Sequence, residues 1–180
     1  MLLDLSEIVI RENMRVDLDV DQPGVEDPDL QFVEPLRGRL TFENGGDLIN
    51  IHGRVEAVLR TSCARCVEDV TLRVPVDVEE HFPIADILNP TRQPEEDEDF
   101  DATISTTVYL DQGKPILDLD ELLRELILTE VPLATVCDEA CKGLCPECGA
   151  NRNQTECRCH EERHNTPLAA LGALLQDDGK

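Results

Sequence analysis

Six cysteines fall within twenty-three residues: Cys137, Cys141, Cys145, Cys148, Cys157 and Cys159. The middle of this segment reads Cys145-Pro-Glu-Cys148-Gly149. Two thiolates two residues apart reach one metal ion, and the glycine lets the chain curl so that backbone N–H groups point at the sulfurs. Cys157-Arg-Cys159 supplies two further thiolates. The spacing predicts Zn²⁺ held by Cys145, Cys148, Cys157 and Cys159, tetrahedral, at about 2.3 Å from each sulfur. Four thiolates leave no open coordination position, so the expected role is structural, not catalytic. Cys137 and Cys141 either replace one of these pairs or join Cys63 and Cys66 in a second site. Asn151 and Asn153 suit the turn between ligand pairs, because Asn tolerates left-handed backbone and bonds its own chain.

The remaining two cysteines sit in Thr61-Ser-Cys63-Ala-Arg-Cys66. They admit a metal or structural turn, a partner contact, or redox chemistry. Redox use wants a helix N-terminus to lower a thiol pKa, and this pair is expected between strands. Arg65 is placed to lower a neighbouring thiol pKa slightly, or equally to contact a phosphate or a partner's carboxylate. His160 and His164 extend the tail spacing to Cys-x-Cys-His-x₃-His. They complete a Cys₃His site if one cysteine is unused, or else form an exposed pair on a polar linker. His52 and His81 stand alone. No Gly-x-Ser-x-Gly, P-loop or His-Glu-x-x-His motif occurs, so no enzyme is expected. Six acids crowd residues 95–101. General acid–base work needs positioned groups, so these read as solvated charge on a mobile loop.

The elements that must position the cysteines follow from hydrophobic periodicity. Ile8-Val9-Ile10 opens a strand-like start, continued by the alternation of Val16, Leu18 and Val20. Asn44-Gly45-Gly46 is a hairpin signal. After it, Ile49, Ile51, Val55, Ala57 and Leu59 fall on one face, with Asn50, His52, Arg54, Glu56 and Arg60 on the other. Val70, Leu72, Val74, Val76 and Val78 repeat the pattern, so Cys63 and Cys66 lie in the connection between two long antiparallel strands. A Pro-rich connection runs from Phe82 to Pro94, and another strand is expected at Thr103–Leu110 before a turn at Asp111-Gln-Gly113. Asp118 and Glu121 form a capping-box pattern. It opens an amphipathic helix over 118–131, with Leu119, Leu122, Leu123, Leu126 and Ile127 as its stripe and Pro132 as its stop. Thr166-Pro167 starts a short last helix.

The expected fold is α+β: a twisted antiparallel sheet or partly open barrel with one packed helix, then a zinc-knuckle segment and a short terminal helix. Residues 1–136 form an acidic β-rich body, and residues 137–180 a Cys-rich tail. The 180 residues carry a net charge of −23. The body holds 11 Lys or Arg against 31 Asp or Glu. That balance opposes non-specific nucleic-acid binding by the body and favours a basic partner. Locally, Arg65, Lys142, Arg152 and Arg158 could still meet RNA. No apolar run of about 18 residues occurs, so no membrane-spanning helix is expected. The first residues carry acids where a signal peptide needs bases. The chain is therefore expected in the cytoplasm, where cysteine pairs hold metal more often than disulfides.

The order of these motifs resembles a known family. Cys63-x-Arg65-Cys66 lies between strands. An Asp-Leu-Asp-Glu-Leu-Leu helix start follows. The tail then reads Cys137-x₃-Cys141-Lys-Gly143-Leu144-Cys145-Pro146-x-Cys148-Gly149-x-Asn151-x-Asn153, closing with Cys157-x-Cys159. This is similar to the YceD family, the large ribosomal RNA subunit accumulation proteins. One departure is Arg152, where an apolar residue is common. The resemblance implies a non-enzymatic bacterial or plastid factor that supports accumulation of 23S ribosomal RNA and large-subunit assembly. The implied partner is ribosomal RNA or a basic large-subunit ribosomal protein, with no membrane and no small-molecule substrate. The alternative is a zinc- or redox-responsive regulator.

Overall fold

A computed structural model describes residues 1–89, 107–157 and 159. Residues 95–101, residues 103–106 of the strand expected at 103–110, His160, His164, Arg158 and the expected last helix lie outside them. Chain contacts group Met1–Ala64 with Glu68–Cys137 as one unit, and Arg65–Val67 with Asp138–Lys180 as a second.

The first unit is built on two antiparallel sheets. In the larger, β2 (Arg15–Gln22), β4 (Leu36–Asn44), β5 (Leu48–Ser62) and β6 (Asp69–Pro83) lie side by side. The two-residue β3 (Gln31–Phe32) extends β4's side of β5 toward its far end. The long hairpin β5–β6 pairs from Leu48↔Pro83 to Ser62↔Asp69. Its period of two follows because one face must be dry, with Val58 of β5 the exception, buried on the other face. Ile49, Ile51, Val55, Val74, Val76 and Val78 are buried on that face, while Arg54 and Asp77 pair across the wet one. The smaller sheet orders β1 (Leu2–Asp4), β8 (Lys114–Asp118) and β7 (Val108–Asp111). Both sheets are open, so the fold is the antiparallel α+β arrangement and not a closed barrel.

One core joins both sheets to the helix α3 (Leu119–Glu130), which buries Leu119, Leu122, Leu123 and Ile127. Asp118 caps it, its Oδ1 accepting from the N–H groups of Asp120 at 3.1 Å and Glu121 at 3.4 Å. Glu121 is turned instead to Arg124, which it grips at 2.8 and 3.0 Å. Arg124 also reaches Asp27 at 3.2 Å, fastening the loop before β3.

Ile8-Val9-Ile10 is not a strand. Ser6–Ile10 forms the short helix α1, which buries Ile8 and Val9. Three β-branched residues cannot distinguish the two periods, and local bonds decide. Asp4 Oδ1 accepts from Ser6 N–H at 2.9 Å at the start. The buried Asn44 donates through Nδ2 to the carbonyls of Ile8 and Val9 at 2.6 and 3.2 Å at the end. Within the Pro-rich connection Ile84–Leu88 forms a second short helix, α2, because Ile87 is drawn into the core.

Gly38 of β4 and Gly53 of β5 each lie against the backbone of the other strand. A Cβ on Gly38 would meet the carbonyl oxygen of Arg54, and one on Gly53 would meet that of Arg39. Only glycine fits at either position.

Candidate metal centres

The hairpin connection between β5 and β6 is tight. Cys63 N–H donates to Glu68 O at 2.8 Å, and both Cys63 and Cys66 are buried. In the first unit, Cys137 N–H donates to Cys63 Sγ at 3.4 Å, and Ala64 N–H bonds Thr135 O at 2.8 Å.

The second unit is organised by two glycines with φ of +71° and +72°, Gly143 and Gly149. Each follows the turn that presents a cysteine. Gly149 N–H closes onto Cys145 O at 2.9 Å, and Cys145 N–H onto Ala150 O at 2.8 Å. Leu144 and Asn151 form a single antiparallel bridge. Arg65 is built into this unit by both ends. Its carbonyl accepts from Leu144 N–H at 3.0 Å, and its Nη1 donates to the carbonyls of Glu139 and Cys141 at 2.9 and 3.2 Å.

Two groups of four sulfurs result. Cys63, Cys66, Cys137 and Cys141 form one, and Cys145, Cys148, Cys157 and Cys159 the other. Within each group the Sγ atoms all lie within 4.8 Å of one another. None of the eight is in a disulfide. A zinc ion with sulfurs at about 2.3 Å spaces them about 3.8 Å apart along a tetrahedron's edges. Cys145 and Cys157 stand 3.3 Å apart and Cys148 and Cys157 3.4 Å, so the donor set fits a small, soft-ligand dication. Cys137 and Cys141, for which the spacing left two arrangements open, are grouped with Cys63 and Cys66.

The surroundings favour thiolate at Cys145 and disfavour it at Cys157 and Cys159. The N–H groups of Cys148 and Glu147 point at Cys145 and, with Cys157, hold its thiol down to about 6. The crowded Cys157 and Cys148 push the Cys159 thiol well above its ordinary range. Four thiols this close cannot all ionise alone, and a dication relieves that repulsion. Asn153 supplies the outer support that spacing alone does not reveal. Its Nδ2 donates to Cys141 Sγ at 3.2 Å, and its Oδ1 accepts from Lys142 N–H at 2.8 Å. Asn151 accepts at Oδ1 from Asn153 N–H at 3.0 Å, an Asx turn. The repeated Asn-x-Asn was the signal available in the sequence. It pointed to a turn and said nothing of the sulfur.

His81 contacts Asn50 at 2.8 Å on the wet face of the sheet, far in sequence from any cysteine. Among the described residues no helix is long and apolar enough to cross a membrane.

This fold and this site define a class: a β-rich protein carrying two four-cysteine groups of metal-ligand type. The chain belongs to the YceD family, described as "Large ribosomal RNA subunit accumulation protein YceD", which matches residues 51–175. It is similar to the Arabidopsis thaliana protein named "Large ribosomal RNA subunit accumulation protein YCED homolog 1, chloroplastic". That match is 37% identical over 60 residues, 33% of this chain and 19% of the relative. A Zea mays protein of the same name is 26% identical, covering 62% of this chain and 44% of its own length. An uncharacterized Mycobacterium tuberculosis protein is 32% identical over 130 residues, 72% of this chain and 53% of the relative. The chain thus spans about half or less of these relatives' length. No solved structure matches it.

Proposed function

We propose that this protein is a non-enzymatic factor that supports accumulation of 23S ribosomal RNA and assembly of the large ribosomal subunit, acting in the cytoplasm. Family membership, with relatives named for large ribosomal RNA subunit accumulation, is the observation that carries the reading. Its cofactor is Zn²⁺, held structurally by Cys145, Cys148, Cys157 and Cys159, and a second by Cys63, Cys66, Cys137 and Cys141. Four thiolates per ion leave no position for substrate. What the ion supplies is a cross-link that fixes loops too short to bury a core.

The acidic charge supports a basic ribosomal protein, rather than RNA, as the partner. A net charge of −23 repels polyanions at long range and steers basic chains. A ribosomal protein left undelivered exposes precursor RNA to degradation, which links a protein partner to an RNA-level outcome. Depleting the protein and measuring the ratio of large- to small-subunit ribosomal RNA tests the reading. The ratio should fall. An unchanged ratio would remove it. The regulator reading has one supporting observation, the sulfur contacts at 3.3–3.4 Å, and it requires partner binding to change on metal removal at constant fold.

A further inference from the structure

The outer edge of β2 is open among the described residues. β2 pairs with β4 and with no other described strand. Which backbone groups face outward follows from the ladder. Asn44 N–H donates to Met14 O at 3.0 Å, and the register runs without a break from Arg15↔Glu43 to Gln22↔Leu36. Alternate residues from Met14 therefore bond β4, namely Val16, Leu18 and Val20. Asp17, Asp19 and Asp21 turn their N–H and C=O groups to the open edge.

Beneath this edge lies an apolar cleft of about 270 Å³, lined by Leu3, Leu5, Ile8, Val16, Leu18 and Phe42 and rimmed by Asp4 and Glu7. The other edge strand at the cleft, β1, pairs with β8 and with no other strand among the described residues. Val16 is 39% exposed although its face is apolar. Small-molecule pockets run from about 300 to 1,000 Å³, so this cleft is sized for one or two side chains of a peptide. Charge selects which peptide. On the wet face Asp17, Asp19 and Asp21 are each in contact with an arginine, Arg15, Arg39 or Arg37, through Oδ1. Exposed pairs of this kind hold weakly, so the row can also meet incoming cations. Antiparallel pairing with a second copy would set this acidic row against itself, which like-charge pairing opposes.

We propose that β2 and the cleft below it take an extended segment of a partner protein by strand addition, its residues alternating basic and apolar. The bases meet Asp17, Asp19 and Asp21, the apolar residues enter beside Val16 and Leu18, and backbone bonds supply the register. This rests on the protein-partner reading above and names the surface used.

The test is binding of the full chain to an acetylated, amidated (Lys-Val)₄ peptide and to a Lys₄Val₄ peptide of the same composition. The alternating peptide should bind and weaken steeply with salt, and the block peptide should not bind. Asp19→Pro removes an outward N–H and no backbone bond to β4, along with the exposed side-chain pair to Arg39, so it should weaken binding about tenfold, the size expected for one or two backbone hydrogen bonds. Val16→Lys, at a half-exposed position, should do the same if the proline variant fails to fold. Equal binding of the two peptides, salt-insensitive binding, wild-type affinity in both variants, or a dimer through this edge would overturn the proposal. Capture of purified large-subunit proteins separates the two readings. If they bind wild type and both variants alike, the edge is wrong and the protein-partner reading stands. If none binds wild type, the protein-partner reading itself fails.

Discussion

Each sulfur pair here works through neighbours that prepare it. Cys145→Ser should lower the bound zinc by one equivalent per chain, read by native mass spectrometry, and loosen the knuckle while the β-sheet signal persists in circular dichroism. Full zinc content would remove Cys145 from the ligand set. Asn153→Ala removes the donor to Cys141 and the acceptor for Lys142 N–H. Outer-shell losses of this kind cost about 10–100-fold in metal affinity, which competition with a chromophoric chelator would measure. Metal uptake should also release protons near neutral pH, because Cys157 and Cys159 titrate above the ordinary thiol range. Retention should then fall on acidification, most steeply once pH drops through the lowered Cys145 value of about 6. At this scale the residue types were legible in the sequence: soft ligands at chelating spacing. The sequence left Arg65 open between a neighbouring thiol, a phosphate and a partner's carboxylate; its guanidinium bonds the carbonyls of Glu139 and Cys141. A long side chain's target depends on what folds next to it, which spacing does not encode.

Strands with a period of two are the elements a sequence reveals best, and β5 and β6 are such strands. Short elements are not. β1, β3 and β8 carry two to five residues each, too few to show a period, and they form because longer neighbours offer them an edge. Asp118 was readable as a cap, but Glu121 completes no reciprocal box, because Arg124 offers it a bidentate charged partner. Arg124 holds the Glu121 carboxyl below its ordinary value of 4.5. The contribution of this pair is therefore full above that value and is lost as pH falls through the lowered one. Glu121→Gln should flatten the acid limb of a stability profile below about pH 4.5, followed by urea unfolding. Gly38→Ala should be far more damaging. The new Cβ has backbone on its far side that cannot step away. The cost is expected at the overpacking level of about 1–3 kcal/mol or above, seen as a lowered Tm.

For the whole molecule, charge is the dominant variable. If the partner is a basic protein, raising salt from about 0.05 to about 0.5 M, which shortens the Debye length from above about 10 Å to below about 8 Å, should weaken binding severalfold. Salt-independent binding would point away from charge complementarity. Composition made this legible, since a net −23 on 180 residues needs no fold to interpret. The identity of the surface was not legible, because the open edge of β2 exists only once β4 has taken its other side.

The pairing of β1 with β8 also sets a timetable. Leu2 aligns with Asp118, and Asp4 with Ile116. During synthesis at about 5–20 residues per second, Leu2–Asp4 leaves the ribosome seconds before its partner strand has been made. The β2–β4 and β4–β5 pairings need no residue beyond Glu56 and can form earlier. Leu3 and Leu5, which wall the cleft beside β2, are therefore among the last parts to be placed. A nascent chain arrested before β8 would show a paired β2 with no finished cleft beneath it, so the surface matures only once β8 has been made.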